Sequence, residues 1–144
     1  MKKLIFIFSL FFVLTVRSQN LSGKYYSTET SFQDLLNPKN SFKSQAKIIV
    51  NINYDSNTKS GNYITICDPE SPKIIHKYQL TSNAEKMPPS EYYLSSYIFK
   101  NSFSETSKSN LDIVLYYNNE NKLNVMLTGK EKSQALKKLV KINY

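Results

Sequence analysis

Past its first twenty positions the chain is dominated by apolar and polar residues alternating with a period of two. In AKIIVNINY, Ala46, Ile48, Val50, Ile52 and Tyr54 fall on one side, while Lys47, Asn51 and Asn53 fall on the other. That pattern predicts a strand with one buried face. Ile49 is the apolar exception on the wet side. A turn cluster, DSNTKSG, leads into NYITIC, where Ile64 and Ile66 share a face. Pairing Ile52 with Ile64 and Val50 with Ile66 keeps the branched residues together, so the two segments predict a hairpin of consistent register.

The next turn, DPESP, carries two prolines that fix φ and stop any helix. After it, KIIHKYQL places Ile74, His76, Tyr78 and Leu80 on one face. Folding about Glu70 sets Ile66 across from Ile74 and Ile64 across from His76, with Cys67 opposite Lys73. Downstream, SEYYLSSYIFK fits either a strand or a short helix with Leu94, Tyr97 and Ile98 at helical spacing, the strand being preferred. NSFSETSKSN reads as loop. LDIVLYY and KLNVMLT predict a hairpin around NNEN, with Leu111, Ile113, Leu115, Leu123, Val125 and Leu127 inward. The closing SQALKKLVKINY begins with helical spacing at Leu136, Leu139 and Val140 and finishes as a strand through Val140, Ile142 and Tyr144. At the front, GKYYSTET is the first strand, and SFQDLLNPKNSF predicts one helical turn that Ser31 caps and Pro38 ends. The expected fold is therefore all-β: a single-domain antiparallel meander of about eight strands. Closing it as an up-and-down barrel removes the exposed edges.

The first eighteen residues change the expected compartment. Lys2 and Lys3 precede a 13-residue apolar block, Leu4 to Val16, in the arrangement of a secretory signal peptide. As a helix that block rises roughly 20 Å, short of the ~30 Å hydrocarbon core. The expectation is a signal peptide over 1–18, a domain over 19–144 with no stable membrane anchor after cleavage, and export to the periplasm or exterior of a bacterium. Removing the leader leaves 16 basic and 11 acidic residues, a net of +5, and every remaining basic residue is lysine. Without arginine's planar fork, and with lysines scattered from Lys24 to Lys141, no nucleic-acid partner is expected.

Candidate chemistry is sparse. His76 and Cys67 are the single histidine and cysteine, and the predicted register sets them on opposite faces, which argues against a nucleophile–base pair. They cannot supply a structural zinc site, and the three isolated glycines cannot cradle a phosphate. No enzyme activity, metal or cofactor is expected. An eight-stranded barrel has room for its own side chains or one small ligand. Ile48, Val50, Ile64, His76, Tyr78, Ile113 and Val125 are the candidate lining, with Ala46 and Ser96 the small inward residues.

LSGKYYS, followed by a long loop, resembles the start of lipocalin-like (calycin-type) domains, in which a Gly-x-Trp on the first strand plugs the barrel floor. Gly23 matches the glycine, and Tyr25 stands in the Trp position. The family sets a basic residue from the end of the barrel against that Trp; Lys138 and Lys141 are the candidates here. The resemblance implies binding of a small, largely apolar molecule inside the barrel. The alternative is a non-enzymatic module that meets a protein or glycan partner through outward tyrosines and loops.

Overall fold

A computed structural model describes residues 20–45, 47–58, 60–71, 73–80 and 84–143. The expectations for Met1 to Gln19, for Ala46 and for Tyr144 lie outside them. The described chain is all-β and closes into an eight-stranded antiparallel barrel. Its eleven strands are β1 (Gly23–Ser27), β2 (Glu29–Asp34), β3 (Phe42–Ser44), β4 (Ile48–Asn53), β5 (Tyr63–Cys67), β6 (Ile74–Gln79), β7 (Glu85–Met87), β8 (Tyr93–Ser104), β9 (Ser109–Asn118), β10 (Leu123–Thr128) and β11 (Lys132–Lys141).

Around the barrel the order is β1, β4, β5, β6, β8, β9, β10, β11, and β11 returns to β1 through Tyr25↔Lys141 and Tyr26↔Val140. The Ser27 hydroxyl donates to the Lys137 carbonyl at 2.8 Å, and Ile142 N–H donates to the Lys24 carbonyl at 2.8 Å. These bonds fasten the seam. β2 continues β1 along β11 past Thr28 and pairs β3 on its other side, so the β2–β3 hairpin rises beyond the closed wall. β7 pairs the first part of β8.

The β4–β5 register is the predicted one, Val50↔Ile66 and Ile52↔Ile64. β9 and β10 also pair as read, through Leu115↔Val125 and Ile113↔Leu127. Between β5 and β6 the register differs: Ile64 faces Tyr78, Ile66 faces His76, and Cys67 faces Ile74 across a bulge. The slide is two residues over most of the pair. A slide of two returns a side chain to its own face, so His76 and Tyr78 stay inward. The bulge, however, sets Ile74, expected inward, opposite Cys67 on the outer side, where it is half exposed.

Larger differences arise where a strand carries a bulge. The segment 101–110, read as loop, is strand except for the four-residue turn 105–108. β8 shifts register between Phe99 and Ser102, and Asn101 there has φ 57°. The segment 132–141 is strand throughout, with a matching shift at Lys138, φ 54°. One extra residue in a strand converts a spacing of two into three. Leu136 and Leu139 both point inward for this reason, and their helix-like spacing is a bulge signature. The helical turn after the first strand also moves. Glu29–Asp34 is strand β2, and the turn is a 3₁₀ segment, Pro38–Asn40. Pro38 opens it, since a first-turn N–H has no partner to lose. The Asp34 carboxylate accepts the Leu36 and Asn37 N–H groups and turns the chain. Those bonds, the Asn37 one foremost, hold its carboxyl below the usual range.

The core sits inside the barrel. Val50, Ile64, Phe99, Ile113, Leu115, Val125 and Leu136 are 0 % exposed. Each such side chain contributes about 1.5–3 kcal/mol on burial.

Candidate functional site

The two ends of the barrel are built differently. At one end the chain enters through Asn20–Ser22. Leu21 is buried beneath the floor, the Ser22 hydroxyl donates to the Tyr54 carbonyl at 2.7 Å, and the Tyr25 hydroxyl donates to the Leu21 carbonyl at 2.9 Å. Tyr54 meets Phe99 edge-on at 5.0 Å. Burial, with Tyr117 nearby, pushes the Tyr25 phenol up to about 12. Gly23 has φ 153°, and a Cβ there would come within 2.7 Å of the Lys141 side chain. Lys141 Nζ lies 5.9 Å from the centre of the Tyr25 ring, a cation–π arrangement. Gly23, Tyr25 and Lys141 thus meet at the closed end.

The other end is open, and the inward positions change character as the strands approach it. Along β9 they run Leu115, Ile113, Leu111, Ser109; along β11, Leu139, Leu136, Gln134, Lys132; along β8, Phe99, Ser102, Ser104; along β6, Tyr78, then His76. Aliphatic and aromatic core thus gives way to hydroxyl, amide, imidazole and ammonium on four strands at about the same height. The result is a depression of about 1010 Å³, the size of a drug-sized ligand pocket or slightly larger. Its floor is Tyr78, Leu111, Leu127 and Ser104, and His76 stacks on Tyr78 at 6.1 Å. Burial raises the Tyr78 phenol. One wall is the β8–β9 turn, where the Ser104 hydroxyl accepts Ser107 N–H and the Ser107 and Ser109 hydroxyls are 2.7 Å apart. The facing wall is the β10–β11 turn, Gly129 to Glu131, together with Ser133 and Gln134. Phe32 of β2 completes the rim, stacked on Phe42 at 5.2 Å with Lys132 Nζ 5.9 Å over its ring. Leu35 N–H bonds the Glu131 carbonyl at 2.8 Å and ties the β2–β3 hairpin to this wall.

The seven candidate lining residues divide between core and mouth. Val50, Ile64, Ile113 and Val125 are wholly enclosed, and Ile48 is half-buried against them. Only His76 and Tyr78 reach the depression. Ser96 lies on the opposite side of β8 from Tyr97 and Phe99, so the small inward residues are Ser102, Ser104 and Ser109 instead. All three lie in the stretch read as loop, where only their pairing with β6 and β9 shows that they turn inward. Cys67 is buried on the outer side, where Asn51 Nδ2 donates to its sulfur at 3.6 Å, away from His76. Every buried side-chain nitrogen or oxygen among the described residues has a partner.

Fold and site together define a closed antiparallel β-barrel with a packed interior, a plugged floor and a polar, open mouth. No family model, curated protein or solved structure matches the chain.

Proposed function

We propose that this chain is an exported, non-enzymatic binding module that takes its ligand at the mouth of a lipocalin-like barrel, the interior serving as scaffold. The observation that carries the reading is the switch of inward positions from apolar or aromatic to polar on β6, β8, β9 and β11. Polar side chains turned into a barrel end cost stability unless hydrated or partnered, and on four adjoining strands they line one concave, solvent-open surface with donors and acceptors that a ligand can engage. The packed interior moves the ligand from the barrel's centre, where the sequence led us to expect a small apolar molecule, to the rim. The apolar floor of Leu111, Leu127 and Tyr78 still offers a flat surface to one face of it. Kinship with calycin-type barrels is supported by the floor: Gly23 and Tyr25 occupy the signature positions, and Lys141 lies on Tyr25 where that family sets a basic residue on its Trp.

The test is amide NMR of the protein as its own host processes it, screened against small polar molecules, saccharides and apolar ligands. Binders are expected to shift the amides of Ser104, Ser109, Leu127 and Gln134 and to leave Leu21, Tyr54 and Lys141 in place. Shifts concentrated at the closed end or on the outer tyrosines would overturn the reading.

A further inference from the structure

We propose that the mouth recognises an acidic saccharide, its carboxylate held by Lys108, Lys130 and Lys132 and its ring faces by Phe32, His76 and Tyr78. The inference rests on the mouth being the ligand site and names what the site selects.

Three observations lead to it. First, the charged lining of the depression is unbalanced: three lysines against one carboxylate, Glu131. The lysines come from the two facing turns, Lys108 from one and Lys130 and Lys132 from the other, so they bracket the opening. Secondly, none of these lysines makes an ion pair within 4 Å among the described residues, Lys132 acting on Asp34 across the β2–β11 pair and Lys108 on Glu105 only at longer range. Lys77, Lys100, Lys122, Lys137 and Lys138 each lie within 4 Å of a carboxylate. Lys132 instead lies over the Phe32 ring. Cations converging on a concave surface raise the local concentration of anions and steer them inward. Thirdly, the remaining lining is split in kind. Ser107, Ser109, Asn110 and Gln134 offer both donors and acceptors, whereas Phe32, His76 and Tyr78 offer flat apolar faces. A ligand that satisfies all three features carries many hydroxyls, an apolar ring face and a negative charge. A lipid tail would leave the hydroxyl and amide groups unpaired, at a cost that selects against it. A bare phosphate would leave the aromatic faces and most of the volume unused. Lysine supplies a point charge without the planar fork, which suits a carboxylate presented at varied angles by a sugar ring.

The probes are a galacturonic acid trisaccharide and its methyl ester, which share a shape and differ in charge, titrated by calorimetry and by amide NMR at low and physiological salt. The acid is expected to bind at the mouth at least tenfold more tightly than the ester, with affinity falling as salt rises. Each of Lys108→Gln, Lys130→Gln and Lys132→Gln is expected to weaken binding of the acid about twofold to fivefold, the range for a solvent-exposed charge contact. The triple variant should lose about tenfold or more, with the ester unaffected and the amide spectrum otherwise that of the parent. Equal affinity for acid and ester at the mouth would overturn the charge assignment and leave the mouth as the binding site. Acid binding that maps elsewhere would overturn both assignments, and acid binding at the mouth that survives the triple substitution would overturn the charge assignment. Failure of both probes to bind would overturn the saccharide assignment, while mouth shifts from other molecules in the screen would keep the site.

Discussion

Lys138 and Asn101 hold backbone angles, φ 54° and 57°, that cost an ordinary L-residue about 1–2 kcal/mol. Both are extra residues in a strand, and each has its N–H taken by a side chain on the neighbouring strand. Asn124 Oδ1 accepts Lys138 N–H at 2.9 Å, and Asp112 Oδ1 accepts Asn101 N–H at 2.9 Å. Asn124 is buried, and its Nδ2 donates to the Lys122 carbonyl at 2.9 Å. Its removal leaves a part-buried N–H without a partner, so Asn124→Ala is expected to cost about 1–3 kcal/mol. Lys138→Gly relieves the unfavourable angle but frees the unfolded chain, and it forgoes an exposed ion pair with Glu29 worth little. A gain of up to about 1 kcal/mol is expected. Urea melts of the two variants decide the point; an Asn124→Ala protein as stable as the parent would mean the bulge is held by something else. These residues also explain which local readings succeed. Val50, Ile52, Ile64 and Ile66 alternate without interruption and were legible. Leu136 and Leu139 suggested a helix because Lys138 adds one residue between two inward positions, and nothing in composition announces a left-handed lysine.

At the scale of the strand, each inward series has two jobs, and they separate along its length. Ile113 is wholly enclosed, whereas Ser109, two turns of the pleat away on β9, is at the mouth. Ile113→Ala is expected to cost about 2–5 kcal/mol through lost burial and the cavity left behind. Ser109→Ala and Gln134→Ala are expected to stay within about 0.5 kcal/mol, as surface changes do, while weakening mouth ligands. A melt in which the mouth variants cost as much as Ile113→Ala would make the polar collar structural. The core half of each series was readable in the sequence because burial enforces a pattern. The mouth half was not, because polar inward positions and loop share a composition: NSFSETSKSN contains Ser102, Ser104 and Ser109, yet only pairing with β9 and β6 shows which way they point. Gly23 and Tyr25 were singled out by a resemblance alone, and that Lys141 rather than Lys138 meets Tyr25 follows only from the seam register.

For the whole molecule, closure joins strands more than a hundred residues apart, with Tyr25 on the joint and further buried or half-buried tyrosines around the barrel. Burial, first among the causes, raises the phenols of Tyr25, Tyr78, Tyr116 and Tyr117. A phenol whose folded value lies above its unfolded one is held neutral by the fold. Its stabilising contribution is therefore complete below the unfolded value near 10 and is lost as pH climbs through the folded value. For Tyr25 the window runs from 10 to about 12. The barrel is expected to lose stability steeply over that range, beyond what exposed lysine pairs can explain, since such pairs contribute about 0–1 kcal/mol each. Tyr25→Phe removes one titrating group together with its hydrogen bond to Leu21. The variant should melt lower at pH 8, by about 1 kcal/mol of lost hydrogen bonding, and should fall less between pH 10 and 12 than the parent. Thermal melts of both proteins across that range separate the two effects. Parallel losses in parent and variant would mean that Tyr25 titrates alike in the folded and unfolded chain, and that the floor of the barrel is open to water.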